Sequence, residues 1–326
     1  MPADVVCLRP EEDFTRASVA PPASLAIAYR KPEDSDTQAL IATARALVIP
    51  AVGAKLPAAW FEQAYVKLVQ VTGAGVDRLD EPAMKRLGVA VANVPGGSNE
   101  AVAEYALTSA AALLRRIPRA SVEIRAGRYA AFRGNLIAEN VPGLSGLQVG
   151  IVGMGTIGHA VARAFHRAGS RIAYCDPAPR DARELATLDA CPMPLEQLMA
   201  TSDIVTLHVP LVTGTRGLIG AHELALMKRD AVLINAARGG VVDEAALAGH
   251  LATGRLAGAA IDVYSVEPPP PDNPLLTLPA RASANVLLTP HIAGVTRQSS
   301  AFLFRAAWEN VSRVLENGLE PLNRVY

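Results

Sequence analysis

Three ionisable residues of complementary chemistry stand just beyond apolar runs in the second half of the chain. Arg238 lies in Ile-Asn-Ala-Ala-Arg-Gly-Gly, Glu267 in Ile-Asp-Val-Tyr-Ser-Val-Glu-Pro-Pro, and His291 in Leu-Leu-Thr-Pro-His-Ile-Ala-Gly. An arginine offers a planar fork that suits a carboxylate together with a carbonyl oxygen. A histidine titrates near neutrality and exchanges a proton with an alcohol. A glutamate beside it favours the protonated imidazole and fixes its orientation. Hydride transfer between a dinucleotide and a hydroxyl-bearing carbon needs these parts and no metal. Taken singly, each residue has a plainer reading: a surface charge, a solvated loop acid, a satisfied core histidine. Their joint position at strand ends favours the functional one.

The stretch from Leu147 to Asp176 gives that chemistry a cofactor. Gln148 to Val152 is an apolar run suited to a buried parallel strand. Gly153, Gly155 and Gly158 follow in G-x-G-x-x-G spacing. The first permits a sharp turn, the second lets a pyrophosphate approach the backbone, and the third lets helix and strand pack closely. A helix over 157–168 then directs its N-terminal N–H groups at the phosphates. Ile172 to Tyr174 forms the next strand and ends at Asp176. A carboxylate there accepts both ribose hydroxyls of NAD, so NAD is expected in preference to NADP, with Arg180 close enough to complicate the choice.

These side chains must be carried by alternating strands and helices. Val5–Leu8, Leu25–Ala28, Ala46–Ile49, Lys67–Val71 and Val89–Val94 read as strands, with helical stretches Asp36–Arg45, Pro57–Ala64 and Glu81–Leu87 among them. Thr72-Gly-Ala-Gly-Val-Asp77 follows a strand directly, and the N–H groups of Ala74 and Gly75 suit a small anion nest; a tight turn is the plainer reading. Pro95-Gly-Gly-Ser-Asn-Glu and a long helix over about Asn99 to Arg116 read as a domain junction. Arg115–Gly134 fits neither sheet nor simple bundle and is expected to be an arm over a partner subunit or a solvated charged helix. Strands at Asp203–His208, Ala231–Asn235, Gly258–Asp262 and Asn285–Leu288 complete a six-stranded nucleotide domain, with helical stretches 195–200, 220–227 and 243–253. A last helix over roughly 296–317 crosses back to the first domain and leaves Pro321–Tyr326 as a tail.

Composition narrows the class. A chain of 326 residues suggests two domains, and a hydrophobic content of 50% supplies sizeable cores. Lys plus Arg and Asp plus Glu balance at 31 each, so no global field favours nucleic acid or an anionic membrane. Cys7, Cys175 and Cys191 are scattered, which fits a reducing cytosol and offers no metal-ligand spacing. The N-terminus lacks a signal-peptide pattern, and the most apolar run, Ala101 to Leu114, is broken by Glu104. A cytoplasmic protein is expected.

With these residues in view, the sequence resembles the D-isomer-specific 2-hydroxyacid dehydrogenases. The matching stretches are Val-Thr-Gly-Ala-Gly-Val-Asp (71–77), Asn-Glu-Ala-Val-Ala-Glu-Tyr-Ala (99–106), the glycine turn, His-Val-Pro-Leu (208–211), Asn-Ala-Ala-Arg-Gly-Gly-Val-Val-Asp (235–243) and Pro-His-Ile-Ala-Gly (290–294). The first sixty residues match only in rhythm. The resemblance implies an α/β fold of two doubly wound parallel-sheet domains: a flavodoxin-like substrate domain over 1–98 plus 293–326, and a Rossmann NAD-binding domain over 99–292. It implies that Arg238 binds the carboxylate and keto oxygen of a small 2-keto or D-2-hydroxy acid, aided by Ala74, Gly75 and Val76. His291 would be the proton donor in reduction and Glu267 its partner. Thr156 and Ile157 would hold the pyrophosphate and Asp262 the nicotinamide carboxamide. The other implied cofactor contacts are His208, Val209, Pro210, Thr215, Ala236, Ala237, Arg238, His291 and Gly294. A homodimer through the NAD-binding domain is also implied.

Departures from the family pattern narrow the substrate. Phosphite-oxidising relatives carry lysine where Ala74 stands, and formate dehydrogenases carry glutamine where Glu267 stands, so phosphite and formate are disfavoured. The loop before His291 is longer than usual, with Ala280–Ala284 inserted. Val52 and Gly53, expected to face substrate, are too small to name a partner. An alternative reading is an NADH-sensing transcriptional corepressor on the same fold. Such a protein is expected to add a peptide-binding groove or disordered flanks, and the enzyme is the preferred reading.

Overall fold

A computed structural model describes residues 3–279 and 285–326. The inserted stretch 280–284 lies outside the described residues. The chain forms two compact units, Met1–Ser98 with Val295–Tyr326, and Asn99–Gly294. Each is built on one all-parallel sheet.

In the first unit the strands are β1 (Val5–Cys7), β2 (Ile27–Tyr29), β3 (Ala46–Ile49), β4 (Leu68–Val71) and β5 (Ala90–Ala92), in spatial order β2-β1-β3-β4-β5. That is the flavodoxin-like order. The central strands are buried along their whole length and apolar except for Gln70, as a sheet covered on both faces requires. The long C-terminal helix, Arg297–Leu315, covers one face with Phe304, Trp308, Val311 and Leu315. Its buried Asn310 donates to Gln70 Oε1 at 2.6 Å and accepts the Leu322 N–H at 2.7 Å, so a polar clamp ties helix, β4 and C-terminus together. The C-terminal segment is therefore more than a tail: Val91 N–H donates to Tyr326 O, and Val325 N–H to Val91 O. Pairing along the β5 edge blunts an otherwise open strand. The helix expected over Pro57–Ala64 is only a 3-10 turn, Ala58–Phe61, in which Trp60 N–H reaches back to Pro57 O. Its few apolar residues are enough for a turn and too few for an amphipathic face.

The second unit contains β6 (Gln148–Val152), β7 (Arg171–Cys175), β8 (Cys191–Pro192), β9 (Ile204–Leu207), β10 (Val232–Asn235), β11 (Gly258–Ile261) and β12 (Val286–Leu288), in order β12-β11-β10-β9-β6-β7-β8. Among the described residues, seven strands replace the expected six. The additional β8 is two residues long, and its proline is tolerated at the sheet edge, so it carries no sequence period to detect. Chain order reverses between β6 and β9, which makes their carboxyl ends the switch point of the sheet. Helix Asn99–Leu114 packs its alanine-rich face on helix Thr156–Arg167. The 115–134 segment forms two helices, Ile117–Arg125 and Tyr129–Ala138, with Phe132 buried and Arg119 over its ring. No helix among the described residues is long and apolar enough to cross a membrane.

Candidate active site

The glycine turn sits at the switch point, and its three glycines differ physically. Gly153 has φ +95°, and a Cβ there would lie 2.6 Å from His208 O, so the turn between β6 and its helix presses on the end of β9. A Cβ on Gly158 would lie 2.0 Å from Gly153 O, which forces strand and helix into direct backbone contact. A Cβ on Gly155 would meet nothing within 4 Å. Gly155 caps helix Thr156–Arg167, whose first N–H groups belong to Thr156 and Ile157. Two glycines packed tight and one facing open space over a helix N-terminus suit a dinucleotide pyrophosphate.

Asp176 ends β7 as expected, but its oxygens already have partners. Oδ2 accepts the Met154 N–H at 2.7 Å and the Arg180 guanidinium at 2.6 Å, and Oδ1 accepts the Ala178 N–H at 2.8 Å. Burial acts to raise this carboxyl, yet the Ala178 N–H, Arg180 and the Met154 N–H outweigh it and hold the group below its ordinary value. The acid thus bolts the glycine turn to β7. His208, beyond β9, meets Thr206 Oγ1 through Nε2 at 2.9 Å, and burial pushes its pKa down to about 3. It is a neutral ring at pH 7. Val209 and Pro210 follow it, and Thr215 turns its hydroxyl back onto Pro210 O at 2.5 Å, closing that loop on itself.

At the other end of the sheet the proposed proton-handling pair is assembled. His291 Nδ1 and Glu267 Oε2 are 2.9 Å apart, and Glu267 Oε1 accepts the Tyr264 N–H at 3.0 Å. Burial opposes ionisation of Glu267, but the His291 hydrogen bond, the Tyr264 N–H and the charges of His291 and Arg238 hold its carboxyl below the ordinary value. Arg238 follows β10 through Ala236 and Ala237; Asn235 Nδ2 donates to Arg238 O at 3.2 Å, and Arg238 itself donates to Ala237 O at 2.7 Å. The next residue fixes the geometry, because a Cβ on Gly239 would fall 1.8 Å from Tyr264 O. The arginine loop is therefore pressed against the segment that carries Glu267.

Asp262 is buried and holds the histidine turn. Its Oδ1 accepts from Thr289 Oγ1 at 2.6 Å and Ile292 N–H at 2.8 Å, its Oδ2 accepts the Ala293 N–H at 2.8 Å, and its carbonyl accepts the His291 N–H at 2.8 Å. Tyr105 Oη extends the chain to Thr289 Oγ1 at 2.7 Å. This anchoring keeps His291 at φ +56°, a conformation that a side-chain residue holds only when its surroundings insist. Tyr105 lies in the matching stretch 99–106, but its meeting with Thr289 is not legible in the sequence, because only the pairing of β11 with β12 sets Thr289 beside Asp262. Gly294 closes the turn and the unit.

In the first unit, Ala74, Gly75 and Val76 form the expected loop after β4. Asn93 Nδ2 donates to Ala74 O at 2.7 Å, which turns the Gly75 N–H of the same peptide plane the opposite way. A Cβ on Gly73 would lie 2.8 Å from Ala51 Cβ, so this loop packs on the one after β3. Arg78, also unforeseen, grips that neighbour through Ala54 O at 2.9 Å and Pro50 O at 3.2 Å, and burial lowers its pKa.

Comparison with known proteins agrees with this architecture. Residues 107–293 match the family model described as D-isomer specific 2-hydroxyacid dehydrogenase, NAD binding domain. The chain is 37% identical over 234 residues to a D-3-phosphoglycerate dehydrogenase of Archaeoglobus fulgidus, covering 72% of this chain and 42% of that longer protein. It is 36% identical over 256 residues to a glyoxylate reductase of Korarchaeum cryptofilum, covering 78% of this chain and 75% of the relative. A crystal structure of a Thermus thermophilus protein superposes with a TM-score of 0.83 at 32% identity, over 99% of both chains. The chain belongs to the D-isomer-specific 2-hydroxyacid dehydrogenase family, and NAD is the cofactor of its second unit.

Proposed function

We propose that the protein is an NAD-dependent dehydrogenase that interconverts a small 2-keto acid and its D-2-hydroxy acid. One observation carries the reading: the 2.9 Å contact between His291 Nδ1 and Glu267 Oε2, with the Arg238 charge acting on the same carboxylate. Bound NAD supplies or accepts the hydride at the substrate C2. Arg238 binds the carboxylate and the keto oxygen through its planar fork, which converts binding into alignment of the reacting carbon. Glu267 occupies Nδ1 of His291, so Nε2 is the ring nitrogen left to give a proton to the keto oxygen and to take it back in the reverse direction. In this scheme Asp262 and the Tyr105–Thr289 pair are positioning residues, keeping His291 in its strained turn. In the first unit we assign the N–H groups of Ala74 and Gly75 a share of the anion contact.

We also assign the protein to a homodimer and to the cytoplasm. The 117–138 helices expose Ile117, Val122, Ile124, Tyr129 and Ile137, an apolar surface that suits a second copy of this chain. Cys7, Cys175 and Cys191 are all free, in keeping with a cytoplasmic protein. The activity is tested by following NADH oxidation with a panel of 2-keto acids that includes glyoxylate, hydroxypyruvate and phenylpyruvate. Turnover of at least one member is expected, and its loss in His291→Gln ties the activity to this site. No turnover of any member by the folded protein overturns the reading.

A further inference from the structure

The first unit holds a buried cation that the proposed hydride chemistry does not use. Arg78 directly follows Thr72-Gly-Ala-Gly-Val-Asp77 and is only 5% exposed. Its Nε donates to Ala54 O at 2.9 Å and its Nη1 to Pro50 O at 3.2 Å, while its own carbonyl accepts the Leu56 N–H at 2.9 Å. One residue thus fastens the loop after β3 at Pro50, Ala54 and Leu56. Gly53, at φ +131°, lies against the guanidinium, since a Cβ there would be 3.2 Å from Arg78 Cζ.

Stability alone does not call for an arginine here. Burial opposes the charge, and both acceptors of the guanidinium are neutral carbonyls. A well-packed apolar side chain of like volume often serves a core as well or better. What the guanidinium adds is direction. A carbonyl turned toward Arg78 sends the N–H of the same peptide plane the opposite way, so the Ala51 and Lys55 N–H groups point away from it. Asn93 acts likewise on the Gly75 N–H through Ala74 O. The two loops touch, because a Cβ on Gly73 would lie 2.8 Å from Ala51 Cβ. A shift of the 50–56 loop is therefore felt by the 72–76 loop.

We infer that Arg78 is a positioning residue for the 2-keto acid, holding the 50–56 loop as a fixed wall against the anion-binding loop 72–76. The inference rests on the proposed anion contact of Ala74 and Gly75. Arg78→Met keeps the length of the side chain and removes its donors. With the 2-keto acid that wild type reduces best, its KM should rise by at least about tenfold, the scale of a lost charge-assisted hydrogen bond. Turnover and NADH affinity should stay within about threefold, because such a wall supports ground and transition states alike. Arg78→Lys reaches one carbonyl and should recover part of the KM. Gly53→Ala presses on the guanidinium without removing it; it should raise KM in wild type and add little to Arg78→Met, since both act on one contact. Trypsin reads the clamp without turnover. Lys55 is exposed on the loop, and cleavage after it should be faster in Arg78→Met than in wild type. Equal cleavage, an unchanged KM, or a loss carried by kcat alone overturns the role of Arg78 and leaves the reaction assignment standing. A folded wild type that reduces no 2-keto acid overturns the reaction assignment and this inference with it.

Discussion

His291 is held from two directions, by Glu267 at its ring and by Asp262 at its backbone, and the two supports should separate in experiment. His291→Gln removes the proposed proton carrier, so turnover should fall by roughly 10²–10⁴. NADH affinity measured by fluorescence should stay within about threefold, since general acid catalysis acts on the chemical step. Comparable turnover would remove His291 from the mechanism. Arg238→Lys keeps a charge but loses the planar fork, so kcat/KM for a 2-keto acid should drop by about tenfold or more. Glu267 adds a pH signature. Its folded carboxyl lies below the ordinary 4.5, so the stability from its ionised form is complete above that value and lost as pH falls through the lowered one. Glu267→Gln should therefore lose about 1–2 kcal/mol at pH 7 in urea unfolding, with the gap to wild type closing under acid. A gap that widens under acid would reverse the assigned sign. All of the trio is visible in the sequence, because each member follows an apolar run. Tyr105, Thr289 and Asp262 as anchors are not, since their meeting depends on which strands become neighbours.

The glycine turn shows how an element divides structural from binding roles. Gly158→Ala places a methyl group 2.0 Å from Gly153 O, so strand and helix must part. The expected cost is about 1–3 kcal/mol, read as a clear fall in Tm. Gly155→Ala has open space and an ordinary φ of −74°, so Tm should change little while NADH affinity falls by about tenfold. Equal effects of the two substitutions on Tm would contradict this division. The turn is legible because strand, glycine spacing, helix and acid coincide over 147–176. Elements that are harder to read have physical causes as well. The two-residue β8 lacks a period, the turn at Ala58–Phe61 borrows helical residues without length, and the C-terminal segment gains its order only by pairing with β5. Asp176 stands out by its place after β7, and Arg180 by its closeness in sequence, but the Met154 and Ala178 N–H donors are long-range or loop contacts that spacing does not reveal.

At the scale of the whole molecule, the chain combines a flavodoxin-like sheet, an NAD-binding sheet and a helical surface over residues 117–138 that exposes several apolar side chains. The proposed homodimer buries that surface. Wild type should elute as a dimer in light-scattering chromatography, and Val122→Glu with Ile137→Glu should shift it to a monomer, because a buried unpaired carboxylate is costly. A wild-type monomer at micromolar concentration would remove this part of the proposal. The proposed substrate recognition rests on a carboxylate next to the carbon that is reduced. Its most direct test compares a 2-keto acid that the enzyme reduces with its methyl ketone analogue, at equal NADH, by kcat/KM. A site whose arginine fork is left unmatched should reject the ketone by at least about a thousandfold. Comparable efficiencies for the two compounds would contradict the carboxylate assignment and, with it, the 2-hydroxy acid chemistry.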